Sequence, residues 1–222
     1  MHLSNHVNRP EISVITAVYN RDFTINRAIN SLLAQNMKSW ELIAINDGSE
    51  DNSLKILQDF EKKYENIRVV NQRHKNLPES RNRGIELSQG KYITFLDSDD
   101  EYLPQHLEIR YNYMINHPET DLIHGGVNII GDVFVADRNN NKKLVSLYDC
   151  VIGGTFFGKR EVFEQLCGFN NIPYSEDFEF LERALKIFKV EKVLYPTYIY
   201  HRDIHNSITN KIKSRQGKIV EF

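Results

Sequence analysis

Apolar positions in the first half of the chain follow two periodicities in alternation. Residues 12–18 form a mostly apolar run, which is typical of a strand covered on both faces. A single helical stripe follows, formed by Ile25, Ala28, Ile29, Leu32 and Leu33. Further strands are predicted at 42–45, 67–70 and 92–96, with amphipathic helices between them, and the last of these helices is expected to start near Pro78 and to stop at Gly90. This alternation predicts an α/β fold with a Rossmann-type, mostly parallel sheet and helices on both faces.

The pattern loosens after residue 100. A strand is predicted over 122–130, and helical spacing returns in two sets of residues: Leu107, Tyr111, Met114 and Ile115, then Phe178, Leu181, Leu185 and Phe188. We therefore predict a smaller α+β portion after the parallel sheet, and a polar surface loop at 137–143. A chain of 222 residues fits one domain, divided into halves at 10–100 and 101–210 and a basic tail at 211–222.

Composition and charge exclude several classes of protein. Hydrophobic residues make up 41% and charged residues 26%, as in an ordinary globular protein. The net charge of -2 and the scattered basic residues argue against a nucleic-acid partner. The sequence has neither a recognisable secretion signal nor an apolar stretch near ~20 residues. We therefore expect a cytoplasmic protein, at most peripheral to the inner membrane face.

Two further features concern the compartment and the partners. The two cysteines, Cys150 and Cys167, are expected to be buried free thiols in a reducing compartment. Residues 210–218 carry four cations and no acid, which suits contact with an anionic membrane, where lipid-linked acceptors lie. A solvated tail explains the same composition, so both interpretations stay open.

Three carboxylates follow the strand predicted at 92–96. They belong to the run Asp97-Ser98-Asp99-Asp100, and ligands of open α/β sheets bind at the carboxyl ends of the strands. Neighbouring carboxylates repel one another unless a cation offsets the cost, and their hard oxygen atoms suit Mg²⁺ or Mn²⁺. The run therefore predicts a metal bound against phosphate oxygens. A solvated acidic turn that caps the next helix is the alternative.

Polar residues also follow the first and second predicted strands. Asp47 offers an acceptor for the N–H of a nucleobase, and Gly48 permits a sharp turn beside it. A turn with a helix cap is the structural alternative. After the first strand, Tyr19 offers a ring to stack on a base and Arg21 a cation for phosphate. Three strand ends thus indicate one site.

The run Ser175-Glu176-Asp177 precedes the last predicted helix. Ser175 is a natural N-cap, and acids in the first turn are favoured by the helix dipole, which is a purely structural explanation. The functional interpretation is a general base. A carboxylate near the positive end of a helix is expected to stay ionised at neutral pH, ready to take a proton. No convincing Ser/His/Asp or Cys/His arrangement competes with it.

Together these features resemble the inverting family-2 glycosyltransferases, which have the GT-A fold. The similar stretches follow the family's order and spacing over about residues 10–210: residues 12–20, Asn46-Asp47-Gly48-Ser49 with Asp51, Ser80-Arg81-Asn82-Arg83-Gly84-Ile85, residues 90–100, Gly168-Phe169, Glu176-Asp177 and Ser207-Ile208-Thr209. Any one of these motifs is weak, whereas the ordered series is specific.

The resemblance implies a role for each site residue. Asp47 would bind the base, Asp97 the ribose, and Asp99 the Mn²⁺ or Mg²⁺ that bridges the donor diphosphate. The rest of the donor site would be formed by Thr16, Tyr19, Asn20, Arg21, Arg81 and Ser98. Asp177 would deprotonate the acceptor hydroxyl.

The resemblance also implies a histidine ligand for the metal. A C-terminal histidine often completes the metal site in this fold. His205 is the first choice and His201 the second, because a neutral imidazole suits Mn²⁺. A plain surface histidine is the alternative for either one.

The resemblance predicts a metal-dependent, inverting hexosyl or N-acetylhexosaminyl transfer. The donor would be a nucleoside diphosphate sugar, of UDP type, and the acceptor a hydroxyl of a growing or lipid-linked surface glycan. Leu77-Pro78 replaces the family's usual glycine before Ser80, which is expected to alter the loop beside the diphosphate, and Ala17 replaces a frequent proline. The Gln-x-x-Arg-Trp motif of processive members is absent, so one sugar per encounter is expected.

Two other classes of protein remain as alternatives. A nucleotidyltransferase that makes sugar nucleotides would share the layout, but would need a Gly-rich phosphate loop near the N-terminus, and the sequence has none. A non-catalytic module that binds nucleotides or glycans would need no base, yet the pair Glu176-Asp177 is intact.

Overall fold

The computed structural model describes residues 9–137, 143–172 and 174–203. His205, the stretch Ser207-Ile208-Thr209 and the basic tail therefore lie outside the described residues, as does most of the predicted loop at 137–143. The predictions made for them stay predictions. None of the helices within the described ranges is long and apolar enough to cross a membrane.

The first half contains the predicted alternation of strands and helices. Its elements are β1 (Ile12–Val18), α1 (Ile25–Leu33), β2 (Trp40–Asp47), α2 (Ser53–Lys63), β3 (Ile67–Gln72), α3 (Leu77–Leu87) and β4 (Tyr92–Phe95). β1 and α1 have the bounds that the apolar run and the helical stripe predict. β2 and β3 extend beyond their apolar runs, because their polar last residues still pair, Asp47 with Gln72.

The second half is α+β, as predicted. Its elements are β5 (Glu101–Tyr102), α4 (His106–Asn116), β6 (Leu122–His124), β7 (Val127–Ile130), β8 (Phe134–Ala136), β9 (Leu144–Ser146), β10 (Phe157–Lys159), α5 (Arg160–Gln165), α6 (Glu176–Ala184), β11 (Val190–Lys192) and β12 (Tyr198–His201). Two short 3₁₀ turns, Leu147–Asp149 and Gly153–Thr155, precede β10.

Seven strands form one mostly parallel sheet in the order β11-β6-β10-β4-β1-β2-β3. β1 pairs in parallel with β2 and β4, and β2 pairs in parallel with β3. β10 is antiparallel to β4 and to β6, and it thereby joins the two halves of the chain in one sheet. Two smaller units are the sheet β5-β12-β7 and the hairpin β8-β9.

Residues of β1 belong to two apolar clusters, one on each face of the sheet. Ile12, Val14 and Val18 pack with residues of α1, α2 and α4. Ile15 packs with residues of α3, α5 and α6. Because side chains of a strand alternate between its faces, a strand covered on both faces is apolar at nearly every position. The predicted sheet with helices on both faces is confirmed.

Two predicted element bounds are wrong. The strand predicted over 122–130 is two strands, β6 and β7, because Gly125 and Gly126 have φ of 89° and 73° and turn the chain between them. Helix α3 ends at Leu87 rather than at Gly90. Gly90 packs against β1 instead, where a Cβ would lie 2.5 Å from the backbone nitrogen of Ser13.

The prediction of two buried thiols is also wrong. Cys167 is exposed and Cys150 is partly buried, and both are free cysteines. Cys167 and Gly168 have positive φ and close α5 with backbone hydrogen bonds to Glu164 and Phe163. This turn leaves the Cys167 thiol on the surface.

Candidate active site

A cavity of about 950 Å³ lies at the carboxyl ends of β1, β2 and β4. The predicted site residues that line it are Tyr19, Arg21, Asp47, Arg81, Asp97, Ser98, Asp99 and Asp177, together with the second-choice histidine His201. The structure thus brings three strand ends and the start of α6 to one place. The volume is at the upper end of the roughly 300–1,000 Å³ of ligand pockets.

Thr16 and Asn20 are not among the residues that line this cavity. Thr16 is buried within β1. Asn20 has a φ of 52°, and its side-chain oxygen accepts a hydrogen bond from the backbone of Glu50, so it ties the loop after β1 to the loop after β2. The donor-binding roles of Thr16 and Asn20 stay predictions.

Asp47, at the end of β2, has a carboxylate surrounded by hydrogen-bond donors. Its Oδ1 accepts from Nε2 of Gln72 at 2.7 Å and from the backbone N–H of Lys75 at 3.0 Å. Its Oδ2 lies 2.9 Å from Nδ1 of His74. The two acceptor positions of Oδ1 are therefore filled, and His74 holds Oδ2.

The imidazole of His74 also stacks on the ring of Tyr19. The ring centroids are 4.0 Å apart and the planes differ by 23°. Nδ1 of His74 lies 3.1 Å from the backbone oxygen of Asp47 as well, so the tautomer protonated at Nδ1 satisfies both acceptors. Sequence reasoning missed His74, whose signal was one histidine in the polar run after β3.

Arg81, in α3, joins the two halves of the chain. Its buried guanidinium donates to Oδ1 of Asp97 at 2.9 Å and to Oε1 of Glu176 at 3.1 Å. Its central carbon lies 5.5 Å from the ring centroid of Phe95 and 5.3 Å from that of Phe169. Burial lowers the pKa of a guanidinium, but the two carboxylates outweigh this and raise the pKa of Arg81, so it stays charged.

Asp99 lies among two arginines and a second carboxylate. Its Oδ2 is 3.6 Å from Nε of Arg21, and Arg27 donates a hydrogen bond to its backbone oxygen. Burial, and then repulsion from Asp97, raises the pKa of the Asp99 carboxyl. A cation bound between the two carboxylates would offset that repulsion.

The donor set fits a hard divalent cation in part. Asp97 and Asp99 both line the cavity and offer the oxygen atoms that Mg²⁺ and Mn²⁺ prefer. Arg81 engages Oδ1 of Asp97, however. Within residues 9–137, 143–172 and 174–203, no group of three or more Asp, Glu, His or Cys side chains is arranged to hold a metal ion. The remaining ligands would be diphosphate oxygens and water.

His201, at the end of β12, has carboxylate partners other than Asp99. Its Nε2 lies 2.7 Å from Glu101 and its Nδ1 3.3 Å from Asp203, and its backbone N–H donates to Asp100. Ligation of a metal by His201 would break one of the two side-chain contacts. The first-choice ligand, His205, lies outside the described residues.

Asp177 lies in the first turn of α6. Its carboxylate oxygens accept from the backbone N–H groups of Gly153 at 3.1 Å and Phe178 at 2.7 Å. Burial, and then repulsion from Glu176, raises the pKa of Asp177 to about 7, and the Arg81 cation opposes part of this rise. The expectation that this carboxylate stays ionised at neutral pH is thus corrected, because burial raises its pKa by more than the helix end lowers it. Such a carboxyl exchanges its proton near neutral pH.

Ser175 holds the N-cap position of α6, as predicted, but it does not act as a side-chain cap. Its φ is 65°, and its hydroxyl makes no capping hydrogen bond. The start of α6 is stabilised instead by its acidic first turn, which contains Glu176, Asp177 and Glu179.

The second half of the chain contributes an apolar wall to the cavity. We give this name to the lining residues Val135, Val145, Leu147, Ile152 and Tyr174. Val135 pairs with Val145 across the hairpin β8-β9, so their side chains share one face. Sequence reasoning missed the hairpin, because strands of three residues are too short to show a period.

A comparison with protein families decides the relationship of the chain. The model described as glycosyl transferase family 2 matches residues 13–167, from β1 to the turn after α5. The chain belongs to glycosyltransferase family 2. Asp47, Arg81, Asp97 and Asp99 of this glycosyltransferase lie within the matched stretch, whereas Asp177 lies beyond it.

Curated relatives of this glycosyltransferase come from several bacteria. An uncharacterized glycosyltransferase of Haemophilus influenzae is 34% identical over 201 residues, which are 85% of this chain and 77% of the relative. The uncharacterized glycosyltransferase YibD of Escherichia coli is 39% identical over 94 residues, 42% of this chain and 27% of the relative. The putative teichuronic acid biosynthesis glycosyltransferase TuaG of Bacillus subtilis is 38% identical over 108 residues, 48% and 43% respectively. The chain matches less than half the length of the last two.

Solved glycosyltransferases share its architecture. Residues 1–349 of S. aureus TarS in complex with UDP-GlcNAc match with a TM-score of 0.69 and 19% identity, covering 86% of this chain and 58% of that one. The mannosyltransferase PcManGT from Pyrobaculum calidifontis, in complex with GDP-Man and Mn²⁺, matches with a TM-score of 0.72 and 14% identity, covering 96% and 62%. At these identities the likeness concerns the fold, and the predicted GT-A class is confirmed.

Proposed function

We propose that this chain transfers a sugar from a nucleoside diphosphate sugar to a hydroxyl acceptor, with inversion at the anomeric carbon. The observation that carries the proposal is that Asp47, Asp97, Asp99 and Asp177 line one cavity. Asp47 ends β2, Asp97 and Asp99 follow β4, and Asp177 lies in the first turn of α6. Residues 10–100 would therefore bind the nucleotide sugar, and residues 101–210 the acceptor, within one domain.

The base end of the cavity favours a base with one N–H donor. Because Gln72 and Lys75 fill Oδ1 of Asp47, Oδ2 is the atom left for a ligand. Uracil and thymine present one imide N–H, whereas guanine presents an N–H and an amino group side by side and would need both oxygens. We therefore propose a UDP sugar, or a dTDP sugar with the same imide. The fold neighbours contain UDP-GlcNAc in one case and GDP-Man in the other, so this preference rests on Asp47.

The middle of the cavity would hold the ribose and the diphosphate. Asp97 would accept from a ribose hydroxyl, and Asp99 would be the carboxylate ligand of Mn²⁺ or Mg²⁺. When bound, the metal would supply positive charge to the departing diphosphate. Nε of Arg21 lies 3.6 Å from Oδ2 of Asp99, so Arg21 would add a second positive charge beside the diphosphate.

Asp177 would be the general base. It takes the proton of the acceptor hydroxyl while that oxygen attacks the anomeric carbon from the face opposite the diphosphate. One displacement of this kind inverts the configuration and needs no protein nucleophile. A pKa of about 7 supports the role, because an effective base has a pKa near the working pH.

The acceptor that we propose is a growing or lipid-linked bacterial surface glycan. The apolar wall suits the C–H faces of sugar rings and an adjoining lipid, since binding pockets are lined mainly by apolar and aromatic side chains. The name of TuaG refers to teichuronic acid biosynthesis, which supports a biosynthetic role. Cytoplasmic location, with the basic tail on the inner membrane face, belongs to the same proposal.

Donor turnover tests the proposal. Purified protein is incubated with UDP, dTDP and GDP sugars and Mn²⁺, and release of the nucleoside diphosphate is measured with and without a glycan acceptor. We expect release from a UDP or dTDP sugar, its loss in EDTA and its recovery when Mn²⁺ is added back. Full activity in EDTA would contradict the role of Asp99. An α-linked product from an α-linked donor, identified by NMR, would contradict inversion.

The same assay, repeated with a nucleoside triphosphate and a sugar phosphate, separates the two alternatives. A nucleotidyltransferase would release pyrophosphate from a nucleoside triphosphate and a sugar phosphate. A non-catalytic module would bind the nucleotide without turnover in any combination of donor and acceptor.

A further inference from the structure

The base end of the cavity contains a side chain that imitates a ligand. We propose that the imidazole of His74 holds the place of the nucleobase on Asp47 and Tyr19, and that the base must displace it to bind. This rests on the proposed function, because it takes Asp47 and Tyr19 as the residues that bind the base. His74 would then determine how tightly the chain binds its donor.

His74 makes the two contacts expected of a base. Its Nδ1 lies 2.9 Å from Oδ2 of Asp47, the carboxylate atom that other residues leave open. Its ring stacks on Tyr19 with centroids 4.0 Å apart. Because contacting carbon atoms are already about 3.5–4.0 Å apart, no third ring fits between these two. A base that binds Oδ2 and stacks on this face of Tyr19 therefore occupies the volume of the imidazole.

The displacement needs a movement of the side chain alone. The backbone of His74 is held on two sides: a Cβ at Gly48, whose φ is 72°, would lie 2.7 Å from the His74 nitrogen, and the next residue, Lys75, donates its backbone N–H to Asp47. The His74 side chain is 50% exposed. Rotation about its χ1 therefore leads into solvent, while the loop stays in place.

The displacement lowers the apparent affinity for the donor. When only a fraction of the molecules is in the state that a ligand binds, the apparent affinity for that ligand falls in proportion to that fraction. One net hydrogen bond corresponds to roughly a two- to tenfold change in that fraction. The opposite arrangement, with the base stacked on the outer face of His74, would make the imidazole strengthen binding. The two arrangements therefore differ in the sign of the effect of removing His74.

Calorimetric titration with UDP in the presence of Mn²⁺ measures that sign. His74→Ala should bind UDP about two- to tenfold more tightly than the wild type. His74→Phe, which keeps a ring on Tyr19 but loses the hydrogen bond to Asp47, should show a smaller gain than His74→Ala. Pyrophosphate, which has no base, should bind all three proteins equally. Unchanged or weaker binding of UDP by His74→Ala would overturn the proposal, and so would an equal gain for pyrophosphate.

A second measurement is made on the wild-type protein, and variants serve only to assign its signals. The NMR signals of the His74 imidazole, assigned by their loss in His74→Phe or in His74→Gln, carry a ring-current shift from Tyr19. Saturation with UDP should remove this shift, and signals that stay unchanged would overturn the displacement. If the wild type binds none of UDP, dTDP and GDP, the proposed function itself fails. If it binds UDP and His74→Ala shows no gain, only the role of His74 fails.

Discussion

The two ends of the cavity, where we propose that the base and the acceptor bind, hold their carboxylates in different ways. At the base end, Asp47 is surrounded by a side-chain amide, a backbone N–H and an imidazole. At the acceptor end, Asp177 accepts from two backbone N–H groups, and burial raises its pKa to about 7. The carboxylate of Asp47 is thus fixed in orientation, whereas that of Asp177 can change its protonation state near neutral pH.

This difference fits the two roles that we propose, recognition of the base and general-base catalysis. A carboxylate that recognises a base must keep its charge and direction, whereas a general base must gain and lose a proton near the working pH. Arg81 connects the ends, since it pairs with Asp97 on the donor side and with Glu176 beside Asp177. We therefore expect substitutions at the two ends to separate binding from turnover.

The largest effect is expected for Asp177→Asn. General-base catalysis contributes ~10²–10⁴-fold, so kcat should fall by about that factor, while the Kd for UDP should stay near the wild-type value. Steady-state kinetics and calorimetry measure the two quantities. Glu179→Gln is the matched control, because Glu179 lies in the same turn but pairs with Arg183. If Asp177→Asn keeps near wild-type turnover, Asp177 only stabilises the start of the helix. Glu176 or Glu179 would then be the candidate base.

Asp47→Asn should give the converse result. The amide can still accept from Gln72 and Lys75 through its oxygen, but its NH₂ group would face the base N–H, so binding of UDP should weaken by about 1–3 kcal/mol. This corresponds to roughly 5–150-fold in Kd, with kcat at saturating donor changed far less. Glu50→Gln, an exposed carboxylate of the same loop, is the control. An unchanged Kd for UDP would mean that Asp47 only stabilises the turn after β2.

The sequence predicted the donor end better than the acceptor end, for a physical reason. Asp97 and Asp99 directly follow an apolar strand, and Asp47 ends another, so neighbours along the chain define their position. The contacts that connect the site are distant in sequence. Arg81 and Glu176 are 95 positions apart, and His74 and Asp47 are 27 apart. No local pattern reports such pairs.

The structure of the acceptor end also depends on which residues are buried, and the hydrophobic periodicity of the sequence did not predict this there. The hairpin β8-β9 has strands of three residues each, which flank the predicted loop at 137–143 and match no predicted strand. The pKa of Asp177 depends first on its burial, so an argument from the helix end alone gave too low a pKa.

The pH dependence of the reaction should follow Asp177. In the proposed mechanism its carboxylate form is the base, and its pKa is raised to about 7, so the active fraction is lost as the pH falls through 7. The value of kcat/KM, which reports groups of the free enzyme, should drop about tenfold from pH 8 to pH 6. Binding of UDP, measured over the same range, should change less. A flat kcat/KM would contradict the role of Asp177.

The smallest effect is expected for Glu176→Gln, which tests the electrostatics beside the base. Repulsion from Glu176 raises the pKa of Asp177, so its removal should lower that pKa and move the acid limb of the kcat/KM profile to lower pH. The amide oxygen can still accept the hydrogen bond that Arg81 donates to Glu176 at 3.1 Å.

At pH 6, the Glu176→Gln variant should therefore retain a larger share of its plateau rate than the wild type does. The gain should be less than about tenfold, because a tenfold gain would mean a fully ionised base. Glu179→Gln should leave the midpoint unchanged, since Glu179 pairs with Arg183 instead. A midpoint that moves to higher pH would mean that Glu176 acts mainly by orienting Arg81. Repulsion from Glu176 would then not explain the raised pKa of Asp177, and the contrast between Asp47 and Asp177 would lose its electrostatic explanation.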